Sequence, residues 1–114
     1  MENIELLKNI EFNDFISLDL ETTGLNIHKD EIIEISAIHF RDGEIFDEFT
    51  TLIKPSVSIP KKITEITGIT DSLVSDSPSI ESIFDEFLKF IDNHIVVAHN
   101  VDFDIGFIKE YAAK

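Results

Sequence analysis

Two acidic side chains, one residue apart, interrupt an apolar run near the start of the chain. The stretch FISLDLETTGL, residues 15–25, alternates so that isoleucine and leucine project to one face of a strand. Asp19 and Glu21 share the opposite face at the strand's carboxyl end, where Thr-Thr-Gly predicts a turn. Two carboxylates at this spacing either form a solvated sheet face or bind a cation. The rest of the sequence must decide between these alternatives.

A third carboxylate follows a second apolar run, HIVVAHN, at residues 94–100. Sites in open α/β sheets form at the carboxyl ends of the strands, so Asp104 could join Asp19 and Glu21 in one cluster. Carboxylates packed this closely repel one another unless divalent cations lie between them. Oxygen ligands without cysteine or paired histidine favour Mg²⁺ or Mn²⁺ over Zn²⁺. Two such ions can hold the attacking water and the leaving oxygen of a phosphodiester.

The pattern of elements that must position these carboxylates predicts an α/β protein with a mixed sheet. Asp42-Gly43 is a strong hairpin signal between two strands, and Pro78 suits the first position of an amphipathic helix. The predicted order is strand, hairpin, one or two short helices, long helix, strand and helix, over residues 15–21, 31–53, 58–74, 77–91, 94–100 and 103–111. This order predicts strands that run in both directions.

Composition limits the class of protein. The chain has 114 residues, 43% of them hydrophobic, which is enough for one globular core. Its net charge is −14, and Arg41 is its one arginine, which disfavours a dedicated nucleic-acid binder that works through basic patches. An acidic enzyme can still act on phosphates through bound metal ions. The absence of cysteine and of an apolar leader favours a cytoplasmic protein without a membrane partner.

Four stretches together resemble the DnaQ-like (DEDD-type) 3′–5′ exonucleases: DLETTGL, EIIEISAI, ITGITDSLV and AHNVDFDIGFI. They are most similar to the proofreading domains of bacterial DNA polymerase III, of the epsilon and PolC types. The resemblance runs from residue 15 to the end in the family's order and spacing. It implies a ribonuclease H-like exonuclease fold, in which helices flank the mixed sheet. Residues 1–14 are then an N-terminal extension, and residues 15–114 are the N-terminal part of the exonuclease domain.

The resemblance also assigns roles. Asp19, Glu21 and Asp104 match the catalytic acids that hold two Mg²⁺ or Mn²⁺ ions, and Asp19 resembles the residue shared by both. The residues that match the binding site of the terminal nucleotide are Leu20, Thr22, Thr23, Gly24, Leu25, Ile66, Thr67 and Phe103. Thr67 departs from the pattern, because a histidine often stands there in well-known members. The implied substrate is the 3′ end of single-stranded DNA, although some members trim RNA, and the implied partner is a DNA polymerase.

In this family a further motif supplies a general-base histidine and a fourth metal-binding aspartate. None of the chain's histidines stands at that position: His28, His39, His94 and His99. We therefore expect a C-terminally incomplete domain whose 114 residues alone have little or no nuclease activity. An incomplete sheet exposes an edge and an apolar face, so self-association is also expected.

Two other functions compete with the nuclease. DLETT is close to the DxDxT nucleophile motif of haloacid-dehalogenase-like phosphatases, but Glu21 replaces the second aspartate and a hairpin is predicted where that fold has a helix. A non-catalytic module that binds nucleic acid or a polymerase is the second alternative. The stretch HNVDFD has no place in the phosphatase scheme, and the retained Asp19, Glu21 and Asp104 favour descent from an active site over the non-catalytic module.

Overall fold

The computed structural model describes residues 13–113, which form a four-stranded mixed sheet and four helices. The elements are β1 (Asp14–Thr22), β2 (Ile32–Arg41), β3 (Glu44–Leu52), α1 (Lys61–Thr67), α2 (Asp71–Val74), α3 (Ile80–Ile91), β4 (Val96–Val97) and α4 (Val101–Ala112). Most of the predicted N-terminal extension lies outside the described residues. The start of the exonuclease domain at residue 15 stays a prediction. In the structure, β1 begins at Asp14.

The order of strands in the sheet is β3-β2-β1-β4. β1 is antiparallel to β2 and parallel to β4, so the prediction of strands in both directions is confirmed. Because β1 and β4 are parallel neighbours, their carboxyl ends meet at the same edge of the sheet. The chain leaves β4 at that edge and, after three intervening residues, enters α4 at Val101. This topology brings the start of α4 beside the end of β1.

The predicted hairpin joins β2 to β3. Asp42 and Gly43 have φ angles of 53° and 83°, the left-handed region that both central residues of a type I′ turn require. That turn matches the right-handed twist of the flanking strands, which pair from Arg41 and Glu44 onward. β1 is followed by this hairpin and not by a helix, so the fold differs from that expected of a haloacid-dehalogenase-like phosphatase.

One face of the sheet carries the main core. Ile16, Leu18 and Leu20 of β1 are buried there, and α3 and α4 cover them. The apolar positions of α3 recur at helical spacing, so that Phe84 and Phe87 reach this core while the acidic side of the helix stays exposed. The packing fixes β1 in register with β2, and a one-residue slip would send its carboxylates into the core.

Two predictions about element boundaries are wrong. The strand expected over residues 94–100 is limited to Val96–Val97, because β4 bonds along one side only, to β1, and turns into α4 directly afterwards. Pro78 is not the first helical residue. Ser79 is the N-cap and Ile80 begins α3, so Pro78 shapes the approach to the helix instead. Among the described residues, no helix combines the length and apolarity that a membrane span requires.

Candidate active site

The sheet edge described above carries three carboxylates. Asp19 is exposed near the end of β1, and Glu21 is half-buried two residues later on the same face. Asp104 lies in the first turn of α4 and is only 5% exposed. Alternation along β1 explains the first two positions, and the parallel pairing of β1 with β4 explains the third.

The three carboxylates influence one another electrostatically. Burial, with the negative charges of Asp19 and Glu21 next in importance, raises the pKa of Asp104 to about 6. Burial also raises the pKa of Glu21, followed by the charges of Asp19 and Glu34. The charges of Asp19 and Glu21 therefore destabilise the ionised form of Asp104, and the charge of Asp19 destabilises that of Glu21. A divalent cation would neutralise this concentration of charge, and an oxygen-only ligand set suits Mg²⁺ or Mn²⁺.

Hydrogen bonds fix the turn that follows β1. The Thr22 hydroxyl donates to the Gly24 carbonyl at 2.6 Å. The Thr23 hydroxyl donates to Asp30 Oδ1 at 3.1 Å and accepts from the Glu31 amide at 3.0 Å. Asp30 packs so closely over Gly24 that a Cβ there would clash with the Asp30 carboxylate. A glycine is therefore required in this turn while the Asp30 carboxylate holds its place.

A pocket of about 550 Å³ opens beside this turn, a volume typical of small-molecule sites. Its walls come from the end of β1, from the turn, from α1 and from α4. The lining residues are Leu20, Glu21, Thr22, Thr23, Gly24, Leu25, Pro60, Lys62, Ile63, Ile66, Thr67 and Phe103. All the residues to which the resemblance assigns nucleotide binding are in this set. Glu21 belongs both to the pocket and to the carboxylate cluster, so the two are continuous.

Two aliphatic side chains in the pocket wall are unusually exposed. Leu25 is 85% exposed and Ile66 is 70% exposed, whereas most large apolar residues in the described part of the chain are buried or half-buried. Leu25 lies in the turn after β1, and Ile66 lies on α1 across the pocket. Apolar side chains presented to solvent in a concave site mark a surface that a ligand covers.

Thr67 lines the pocket, but its hydroxyl forms hydrogen bonds at the end of α1. The hydroxyl donates to the Ile63 carbonyl at 2.8 Å and accepts from the Ile69 amide at 3.1 Å, closing the end of α1. Gly68 caps this end with φ 80°, a left-handed conformation that glycine adopts without strain. The Thr67 hydroxyl therefore holds α1 in place, and α1 presents Ile66.

Sequence reasoning missed two kinds of residue. Pro60, Lys62 and Ile63 line the pocket because α1 folds over the turn, a tertiary contact with no local signal. Asp30 supports the turn, and its one sequence cue is its place just before β2. His99 is exposed at the turn that leads into α4.

The fold and site geometry agree with a comparison of protein families. The profile of the exonuclease family matches residues 16–114, and the chain belongs to that family. Exonucleases of this class use divalent metal ions. The predicted family resemblance is thus confirmed, and the homologues in this family are nucleases.

Two curated relatives are named as bacterial DNA polymerase III proteins. The PolC-type DNA polymerase III of Thermotoga petrophila is 46% identical over 114 residues, which are 100% of this chain and 8% of that protein. The epsilon subunit of DNA polymerase III from Aquifex aeolicus is 37% identical over 110 residues, 96% of this chain and 54% of that subunit. The chain thus spans about half of the epsilon relative and under a tenth of the PolC-type one.

Solved structures show the same fold. Exonuclease X in complex with 5′ overhanging duplex DNA aligns with a TM-score of 0.69 and 30% identity, over 82% of this chain and 53% of that one. Escherichia coli exonuclease I in complex with an oligonucleotide aligns with a TM-score of 0.73 at 18% identity, over 85% of this chain and 23% of that one. The ribonuclease H-like exonuclease fold is therefore confirmed.

Proposed function

We propose that this chain is part of a proofreading 3′–5′ exonuclease that removes nucleotides from the 3′ end of DNA. The observation that carries the proposal is the continuity of the apolar pocket with the carboxylate cluster through Glu21. A terminal nucleotide that lies in the pocket would present its phosphodiester to the carboxylates. The relatives named as PolC-type polymerase and epsilon subunit support DNA replication as the setting.

Asp19, Glu21 and Asp104 are the residues that would hold the metal ions. The ligand set fits in its chemistry, because all three residues offer carboxylate oxygen and the buried Asp104 carboxyl lies in the negative field of the other two. Their oxygen atoms do not all lie within 4.8 Å of one another in the free protein, so the side chains would have to move together around the ions. Bound divalent ions supply electrostatic stabilisation of the phosphodiester oxygens and a more acidic water. The exposed Asp19 carboxylate is open to solvent and to the substrate.

In this proposal the pocket selects an unpaired terminal nucleotide. Leu25 and Ile66 would cover the faces of the base, and Phe103 of α4 would complete the wall. Apolar walls accept any of the four bases, because every base has an apolar face. The Thr22 and Thr23 hydroxyls are used within the turn, so they fix its shape around the sugar. A proofreading nuclease needs this tolerance of sequence.

Charge sets the mode of binding. With a net charge of −14 the chain repels a long polyanion, so its grip on DNA depends on metal ions and on the pocket. Lys62 is the cation among the pocket residues and would contact a phosphate. A DNA polymerase subunit would supply the remaining contacts to DNA, and we propose such a subunit as partner. The proposed compartment is the cytoplasm, where a bacterial replication enzyme meets its DNA.

Self-association is proposed through the edge of the sheet at β4. This strand pairs with β1 at two positions, and the described residues place no strand on its other side. Ile95 beside it is 47% exposed. An open, partly apolar edge of this kind pairs readily with another chain. Light scattering should detect dimers or larger species, and a monomer at all concentrations would contradict this proposal.

Product binding tests the nuclease proposal without requiring turnover. Deoxythymidine monophosphate is titrated into the chain by calorimetry, with and without Mn²⁺. We expect binding that needs Mn²⁺, that is lost in Asp19→Asn and that is retained in Asp102→Asn. Asp102 is the matched control, because it is an exposed carboxylate in the same turn as Asp104 but outside the pocket. Binding that ignores Mn²⁺ or survives Asp19→Asn would refute the proposal.

The direction of cleavage needs a second assay. Because little activity is expected of these 114 residues alone, single-stranded DNA labelled at its 5′ end is incubated for a long time with excess protein and Mn²⁺. The products are then resolved by length. A nuclease that starts at the 3′ end leaves a ladder of labelled strands that shorten one nucleotide at a time. Internal cuts with no ladder would point to a different nuclease, and the ladder should vanish with Asp19→Asn.

A further inference from the structure

A second group of ligand-type side chains meets at the opposite end of the sheet. Asp14 begins β1, His39 lies near the end of β2, and His94 lies in the turn between α3 and β4. One ligand atom from each of the three lies within 4.8 Å of the others. Asp14 precedes Asp19 by five strand residues, which corresponds to roughly 17 Å. The group is therefore separate from the carboxylates of the candidate active site.

The three side chains are held in mutual contact. His39 is 5% exposed, and its Nε2 lies 2.6 Å from Asp14 Oδ1. The imidazole rings of His39 and His94 lie 4.4 Å apart, edge to face at 70°. The side chain of Asp14 is 43% exposed, so the group opens to solvent on one side. An ion could enter from that side while the two imidazoles stay fixed.

One atom of this group lacks a partner. His94 Nδ1 is buried and forms no hydrogen bond. Among the described residues, it is the one buried side-chain nitrogen or oxygen atom without a hydrogen-bond partner. Buried polar atoms are nearly always satisfied by protein, water or an ion. The neighbouring His39 Nε2 is already engaged with Asp14. An additional group bound here would satisfy the His94 imidazole.

We propose that Asp14, His39 and His94 bind one divalent transition-metal ion of the Zn²⁺ type. Two imidazole nitrogens and one carboxylate oxygen form the donor set that Zn²⁺ prefers to the all-oxygen sites of Mg²⁺. Metal–ligand distances near 2.0–2.2 Å place tetrahedral ligand atoms roughly 3.3 Å apart. Side-chain shifts on the order of 1 Å convert the observed group into that arrangement. The fourth position faces solvent on the Asp14 side.

Arg41 is the positive group that competes with such an ion. Its Nε lies 3.4 Å from Asp14 Oδ2, the oxygen that does not contact His39. Its guanidinium also lies 3.8 Å above the ring of Phe46, which gives it a second partner. Asp14 can therefore offer Oδ1 to a metal ion while Oδ2 stays with Arg41.

The consequence of the site is structural. β4 is joined to β1 by pairing at Ile16 and Ser17 only. An ion held by β1, by β2 and by the turn before β4 would fasten this short strand to the sheet. The ion would thus stabilise the parallel pairing that brings α4, and with it Asp104, to the end of β1. Because it lies far from the substrate pocket, it takes no part in the chemistry there.

Co²⁺ reports on this site, because four-coordinate Co²⁺ absorbs visible light strongly. Co²⁺ and Zn²⁺ are titrated into the protein in excess Mg²⁺, which occupies oxygen-only sites. We expect one equivalent to bind with a four-coordinate spectrum. His94→Gln and Asp14→Asn should each weaken binding at least about tenfold, since even residues outside the ligand set cost that much. His28→Gln is the matched control, because His28 also contacts a carboxylate, Glu110, at 3.1 Å but belongs to no group of three ligand residues in the described part of the chain.

Nuclear magnetic resonance of the unaltered protein tests the same proposal without a variant that could misfold. Zn²⁺ should shift the imidazole signals of His39 and His94 and leave those of His28 and His99 unchanged. The proposal is wrong if Zn²⁺ fails to bind in excess Mg²⁺, if it shifts all histidines alike, or if affinity survives His94→Gln in a folded protein.

Discussion

Asp104→Asn should stabilise the metal-free protein at neutral pH, although it removes a proposed catalytic residue. The Asp104 carboxyl is 5% exposed and lies near the charges of Asp19 and Glu21. Its ionised form is therefore costly in the folded state and ordinary in the unfolded chain. Asparagine has nearly the same shape and carries no charge, so it removes this cost at any pH.

The magnitude follows from the pKa. Burial and the two neighbouring charges raise the pKa of Asp104 from 3.8 to about 6. Each unit is worth about 1.36 kcal/mol, so the ionised carboxyl costs about 3 kcal/mol of folding free energy. Because the folded pKa is the higher one, stability is fully present below pH 4 and is lost as pH rises through 6. The variant should thus exceed the wild type by about 3 kcal/mol at pH 7 and equal it near pH 4.

Urea denaturation in EDTA measures this difference at several pH values. Asp102→Asn serves as the control, since this exposed side chain lies on the same helix and its charge is screened by water. Added Mn²⁺ should raise the stability of the wild type at pH 7 and leave Asp104→Asn nearly unchanged. Equal or lower stability of Asp104→Asn in EDTA at pH 7 would refute the idea that burial and the two neighbouring charges make the ionised Asp104 carboxyl costly.

Three further predictions concern the pocket and the core. Ile66→Ala should weaken Mn²⁺-dependent binding of deoxythymidine monophosphate about tenfold in calorimetry, with no change in unfolding midpoint, because Ile66 is 70% exposed in the free protein. Gly24→Ala should weaken the same binding, because the added methyl group would displace the Asp30 carboxylate. Adding Asp30→Gly should relieve the clash between that methyl group and the carboxylate. A Gly24→Ala variant with unchanged binding would contradict the geometry of the turn. Phe87→Ala should lower the free energy of unfolding by about 3–5 kcal/mol in urea denaturation, because the ring is fully buried between α3 and the sheet. A loss under about 1 kcal/mol would show that the core is packed differently.

The proposed metal sites at the two ends of β1 differ in chemistry. The carboxylates at its end offer oxygen alone, whereas Asp14 works with His39 and His94 at its start. Hard ions such as Mg²⁺ favour the first set, and Zn²⁺ favours the second. Binding of both ions to one protein, each without displacing the other, is the outcome that this difference predicts.

The sequence by itself determined the elements and the class of chemistry. Alternation along residues 15–21 placed Asp19 and Glu21 on one face, and the turn residues at Asp42-Gly43 specified the hairpin. These are local properties, set by the period of two along a strand and by φ angles that few residues adopt. The helical spacing that brings Phe84 and Phe87 to the core is local in the same sense.

Tertiary structure alone decided the pocket and the second group of ligands. Lys62 and Ile66 reach the site because α1 packs over the turn, and Asp30 supports Gly24 from across a loop. Asp14 and His94 are 80 positions apart in the sequence and meet because β4 pairs in parallel with β1. Such contacts depend on which strands become neighbours. Burial of the apolar face decides that choice over the whole chain, and no short stretch of residues records it.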